Sequence, residues 1–84
     1  MGTGGRSERR AAHEAVVGAK RCWEAAVTAH RAARAAWSRQ GGDADPRAWA
    51  VMERAWEERR RARRAYDQSL SLYQAICHPK PPSP

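Results

Sequence analysis

Gln40-Gly41-Gly42-Asp43-Ala44-Asp45-Pro46 is the stretch whose reading decides the fold of this 84-residue chain. Glycine accepts the left-handed backbone that closes a helix, aspartate is a favoured N-cap, and proline suits the first helical position because its missing N–H has no partner there anyway. The stretch therefore predicts a turn over 41–45 with a helix ending before it and another starting at Pro46. A connection this short makes the two helices antiparallel neighbours. Upstream, a helix is expected over about 7–40, with Ser7 as N-cap and Glu8 at the positive end of its dipole. Gly18 is its weak point, costing about 1 kcal/mol relative to Ala. Downstream, a helix is expected over about 46–77, stopped by the proline-rich end His78-Pro79-Lys80-Pro81-Pro82-Ser83-Pro84, since proline removes a donor and clashes with the preceding turn. Residues 1–6 read as a flexible Gly-rich N-terminus and 78–84 as an extended, polyproline-like tail.

Both helices carry alanine every seventh residue: Ala12, Ala19, Ala26 and Ala33 in the first, Ala48, Ala55 and Ala62 in the second. At the alternating three- and four-residue spacing of a coiled coil, large residues fill the gaps. The first helix offers Ala12, Val16, Ala19, Trp23, Ala26, His30, Ala33 and Trp37. The second offers Trp49, Met52, Trp56, Arg59, Arg63, Tyr66, Leu70, Tyr73 and Cys77. These two strings are the expected hairpin core. A symmetric turn pairs residue n with about 85 minus n, which sets Trp37 against Trp49, His30 beside Met52 and Trp56, Trp23 beside Arg59 and Arg63, and Ala12 beside Tyr73. Large residues then face small ones, as closely packed helices require. Arginine in an apolar seam needs a reason, and stacking of Arg59 or Arg63 on Trp23, with Glu24 at the rim, supplies one. A polar layer also fixes register.

A lone hairpin needs one stripe per helix, yet the first helix has a second, Ala11, Ala15, Gly18, Cys22, Ala25, Ala29, Ala32 and Ala36. It is small and uncharged. On the second helix Ala48, Val51, Ala55, Ala62, Ala65, Leu72 and Ile76 widen the apolar surface in the same way. The expected architecture is all-α, an antiparallel two-helix hairpin with Ala-rich packing, assembling into a four-helix bundle or docking on a partner. A chain this short buries too little apolar surface to be secure alone, which also favours association.

The formal net charge is +7. Such a charge favours nucleic acid, an anionic surface or an acidic protein as partner. Scarce Lys (Lys20 and Lys80), one Ile (Ile76) and the absence of Phe and Asn are also what a GC-rich coding sequence would produce. The basic block Arg59-Arg60-Arg61-Ala62-Arg63-Arg64, placed beside Lys20 and Arg21 by the hairpin, makes a belt in which Lys20, Arg21, Arg60, Arg61 and Arg64 are candidate contacts to phosphates or an acidic protein. Glu53, Glu57, Glu58 and Asp67 offset it through helical pairs such as Glu57 with Arg61.

Residue chemistry argues against an enzyme. No Ser/His/Asp grouping, Glu-x-x-His pair or phosphate-cradling glycine loop is present. Cys22 and Cys77 form no Cys-x-x-Cys pair, and His13, His30 and His78 complete no four-ligand shell with them, so neither metal nor cofactor is expected. No small-molecule substrate is evident. No apolar run is long enough to span a bilayer, and Met1-Gly2-Thr3-Gly4-Gly5-Arg6-Ser7 lacks a signal peptide's apolar region, so a cytoplasmic protein is expected. The Pro79-x-x-Pro82 and Pro81-x-x-Pro84 spacings fit aromatic grooves that read polyproline helices.

In size and plan the chain is similar to the Trp-x-Gly helical hairpins secreted by type VII systems. It departs from them at the turn, which reads Trp37-Ser38-Arg39-Gln40-Gly41, and in having no acidic residue after Tyr66 or Tyr73 at that family's export-signal spacing. The plan also resembles plasmid copy-control proteins that dimerise into a four-helix bundle and bind RNA across one face. Only architecture is shared in either case, and architecture does not carry function. The expected function is a non-enzymatic interaction module that self-associates or binds a protein partner through its Ala-rich faces. The alternative is an RNA- or DNA-binding bundle using the arginine belt.

Overall fold

The computed structural model describes residues 3–41 and 45–78. Two helices account for nearly all of them, α1 (Thr3–Arg39) and α2 (Pro46–Cys77), packed side by side as an antiparallel hairpin. The residues 42–44 of the expected turn, the proline tail from Pro79 onward and the first two residues lie outside the described part of the chain.

Both sides of the turn use the expected chemistry. Gly41 has φ 89°, the left-handed conformation that only glycine adopts without strain. Its N–H donates to the Ser38 carbonyl at 3.3 Å, and the Gln40 N–H to the Ala36 carbonyl at 3.1 Å. The Asp45 carboxylate accepts from the backbone N–H of Arg47 at 3.0 Å and of Ala48 at 3.5 Å, with Pro46 opening the helix. At the far end the His78 N–H closes α2 by donating to the Gln74 carbonyl at 2.8 Å. α1 begins at Thr3, four residues before the expected cap, so Ser7 and Glu8 sit within the helix and cap nothing. The physical reason is propagation. A helix already nucleated and packed along its length extends at little cost, and a glycine penalty of about 1 kcal/mol is not a stop signal without a left-handed residue or a proline.

Four ring pairs cross the seam and fix the register: Trp37 with Trp49 at 5.7 Å between centroids, His30 with Trp56 at 5.1 Å, Trp23 with Tyr66 at 5.7 Å and His13 with Tyr73 at 5.8 Å. The expected string on α1 lines the seam, with Ala12 and His30 buried and Val16, Ala19, Trp23, Ala26, Ala33 and Trp37 half-buried. On α2 the expected string is corrected by one position in alternate layers. Ala48, Ala55 and Ala62 occupy the inner positions, with Met52 and Arg59 between them and Tyr66, Leu70 and Tyr73 following, whereas Trp49, Trp56 and Arg63 lie exposed on the rim. The alanine layers allow the backbones to approach closely, and an indole on that line would hold them apart. Trp49 and Trp56 instead meet Trp37 and His30 from the rim as tilted ring pairs.

The hairpin is thin. Its extents are 61 × 29 × 13 Å, and Ala12, His30 and Ala55 are the only buried residues among those described. Removing the α2 cap is expected to show how marginal that is. Asp45→Ala should lower stability by about 1 kcal/mol, read as a reduced urea midpoint with unchanged slope.

Candidate functional site: an aromatic and arginine face

The rim position of the tryptophans builds the most distinctive surface of the molecule. Seven residues separate Trp49, Trp56 and Arg63, so they stand in line along α2, next to the seam-crossing rings of α1. Two grooves run along this line and share Trp56. One, of about 390 Å³, is lined by Trp23, Trp56, Arg59, Arg60, Arg63 and Arg64. The other, of about 400 Å³, is lined chiefly by His30, Arg34, Trp37, Trp49, Glu53 and Trp56. Trp56 is 44% exposed at the junction.

Each arginine of the first groove is held differently. Arg63 lies with its guanidinium 4.8 Å above the Trp23 ring and 5.8 Å from that of Tyr66, while Trp23 and Tyr66 are parallel to within 1°. The stacking expected of Arg59 or Arg63 on Trp23 is thus made by Arg63. Its carboxylate partner is Asp67, at 3.1 and 3.3 Å, and not Glu24. Arg60 sits 3.7 Å from Glu57, in place of the expected pairing of Glu57 with Arg61. Both ion pairs are about half exposed, and such pairs contribute about 0–1 kcal/mol. Arg64 has no carboxylate in ion-pair range among the described residues.

Arg59 is the arginine built into the seam. It donates from Nη1 to His30 Nδ1 at 3.1 Å and lies 5.7 Å from the Trp56 centroid. Since guanidinium can only donate, Nδ1 is the acceptor and the imidazole of His30 carries its proton on Nε2. Burial, then the charge of Arg59, then that of Arg34, pushes the His30 pKa below its ordinary 6.5. A neutral imidazole in the seam is what lets a cation share the layer.

The remaining expected residues disperse. Ala11, Ala15, Gly18, Cys22, Ala25, Ala29 and Ala32 are exposed and Ala36 is half-buried, so the small stripe of α1 lies uncovered. On that side a shallow depression of about 280 Å³ joins Ala33 and Ala36 to Ala48 and Val51. Of the five belt residues Arg60 and Arg64 line the groove, while Arg61 falls off its line by helical spacing. The ring pairs set Lys20 and Arg21 about level with residues 66 and 65 of α2, beside Arg64. Arg63 and Trp56, assigned from sequence to the core, belong to the groove. The signal for them was there in the competing alanine heptad, which claims the inner line.

Among the described residues no group of three or more His, Cys, Asp or Glu side chains could hold a metal ion, and no helix is long and apolar enough to cross a membrane. The indole N–H of Trp37 finds no acceptor among the described residues. No family model, curated protein or solved structure matches the chain.

The His30–Arg59 contact has a pH signature. The unfolded chain binds a proton at about 6.5 and the folded one only at lower pH, so protonation favours unfolding. Stability should therefore be insensitive to His30 above pH 6.5 and fall as pH drops from 6.5 towards the depressed value. Urea titrations across that window should show the fall, and the same titrations on His30→Gln should show it reduced.

Proposed function

We propose that the protein is a non-enzymatic interaction module, a helical hairpin that pairs with a second copy of itself through its Ala-rich face to make a four-helix bundle. The observation that carries this reading is Gly18. It lies in mid-helix, where it costs about 1 kcal/mol relative to Ala, and a Cβ built on it meets nothing within 4 Å in the hairpin. Nothing in the described hairpin uses the missing side chain, whereas a second helix laid against the stripe would approach most closely there. The stripe's eight residues, Ala11 to Ala36, include no charged side chain. In a chain of net charge +7 it is a surface on which two copies meet without repulsion.

Size supports the same occupant. From Ala11 to Ala36 the stripe is about 38 Å long at about 1.5 Å per residue, and the hairpin face made by it and the neighbouring side of α2 is about 20 Å across, roughly 760 Å² of which the stripe is half. A standard stable interface uses about 800 Å² per partner. Val51 and Leu72, 60% and 58% exposed, extend the apolar surface onto α2. Such a pairing would also supply the core that a slab with three buried residues lacks. The free thiols of Cys22 and Cys77 suit a reducing cytoplasm, the location we assign it.

Sedimentation at micromolar concentration tests the reading. The unmodified chain should be a dimer, and Ala29→Arg should be a monomer of nearly unchanged helicity. Gly18→Leu is the sharper variant. It removes a helix-weakening residue at an exposed position where a Cβ meets nothing within 4 Å, so it should raise monomer helicity and at the same time abolish the dimer. A unmodified chain that sediments as a stable monomer refutes the proposal.

A further inference from the structure

The face opposite the small stripe combines exposed indole, guanidinium in excess of carboxylate, and a groove that continues beyond a single ligand's length. We infer that this face binds single-stranded nucleic acid, with unpaired bases stacking on Trp56 and phosphates held by Arg60, Arg63 and Arg64. The inference is independent of self-association, since the two surfaces lie on opposite sides of the slab.

Three observations select this ligand. The first is the pairing of ring and cation. An acidic peptide would use the arginines but has no use for an exposed indole among them, whereas every unpaired base offers a π-face to a tryptophan and every nucleotide a phosphate to an arginine. Trp56 is 44% exposed in a groove whose other lining residues are Trp23 and four arginines. The second is continuity. The two grooves meet at Trp56, and the next indole along the line, Trp49, stands seven residues away, about 10.5 Å at the helical rise. That distance lies within the span of a few nucleotides, so a strand laid along α2 passes from one ring to the next. Glu53 borders the second groove, but Arg34 faces it from α1. The third is availability. The carboxylates of Glu57 and Asp67 hold Arg60 and Arg63 only through half-exposed pairs, which a phosphate can displace, and Arg64 is unpaired among the described residues. Arg59, by contrast, is committed to His30 and stays with the fold.

A duplex has its base faces covered and gains only the phosphate contacts, so the groove should prefer single strands. The test uses the full chain, with tryptophan fluorescence reporting on a short oligothymidylate, the same sequence in a duplex, and polyglutamate of equal charge. Oligothymidylate should quench the fluorescence and bind most tightly, with log K falling against log salt at a slope of about −2 for three phosphate contacts. Trp56→Ala should weaken binding about tenfold or more while leaving the slope unchanged, and Trp56→Phe should restore most of the loss. The double variant Arg60→Gln, Arg64→Gln should shallow the slope to about −0.7. Circular dichroism of each variant checks the fold. Should Trp56→Ala unfold, Trp56→Phe and the arginine double variant still decide. Gly18→Leu, altered on the other side, should bind oligothymidylate whether or not the chain dimerises, which separates failure of this inference from failure of the dimer. Duplex bound as tightly as single strand, no loss in Trp56→Ala, or no binding at all overturns the inference. Polyglutamate bound as tightly as oligothymidylate also overturns it, in favour of an acidic protein surface.

Discussion

Everything in this molecule follows from how closely α1 and α2 approach, and alanine sets that distance. With Ala12, Ala19, Ala26 and Ala33 on one helix and Ala48, Ala55 and Ala62 on the other, every second seam position on each of these stretches is a methyl group. Closely apposed backbones leave no room between them for an indole. The large side chains are therefore displaced sideways, and the direction of displacement is shared. Trp23, His30 and Trp37 lean from α1 towards Tyr66, Trp56 and Trp49 of α2, so the rings gather on one side of the slab and the small residues are left on the other. One packing choice thus makes two unlike faces.

The same choice explains how an arginine in the seam and another on its rim are tolerated. A guanidinium in a thick core would need a carboxylate and would carry the desolvation cost of both. In a slab 13 Å thick no seam residue is far from solvent, and aromatic faces do the rest. Arg63, on the rim, rests on Trp23, and Arg59, in the seam, reaches a histidine kept neutral by burial and by its cationic neighbours. Arginine suits this role because its flat, weakly hydrated head stacks where an ammonium would not.

Much of this was legible in the sequence because the signals were local. The stop at Gly41 and the Asp45-Pro46 restart depend on the backbone of a few residues, and they fall where the chemistry dictates. The α1 seam was equally plain, since its large residues and its alanines lie on the same line. On α2 they do not. Trp49, Trp56 and Arg63 run on one heptad line and Ala48, Ala55 and Ala62 on the adjacent one, and hydrophobicity alone prefers tryptophan for the interior. Only the spacing between the helices decides, and spacing belongs to the pair. That single position moved Trp56 from the core to the centre of the groove. The start of α1 was misplaced for another reason: Ser7 is a competent cap, but nothing before it forbids a helix.

The order of the ring pairs along the seam has a kinetic consequence. Trp37 and Trp49 are 12 residues apart, His30 and Trp56 26, Trp23 and Tyr66 43, and His13 and Tyr73 60. Closing the last of these loops from the open chain costs about 1.4 kcal/mol more than closing the first, by the logarithmic dependence on length. Once the Trp pair beside the turn has met, however, each later pair closes only the short segment left open by the one before. The hairpin is built to zip from the turn outward. The order of its aromatic layers along the chain is the order in which they form, and the ends that form last are the first to fray.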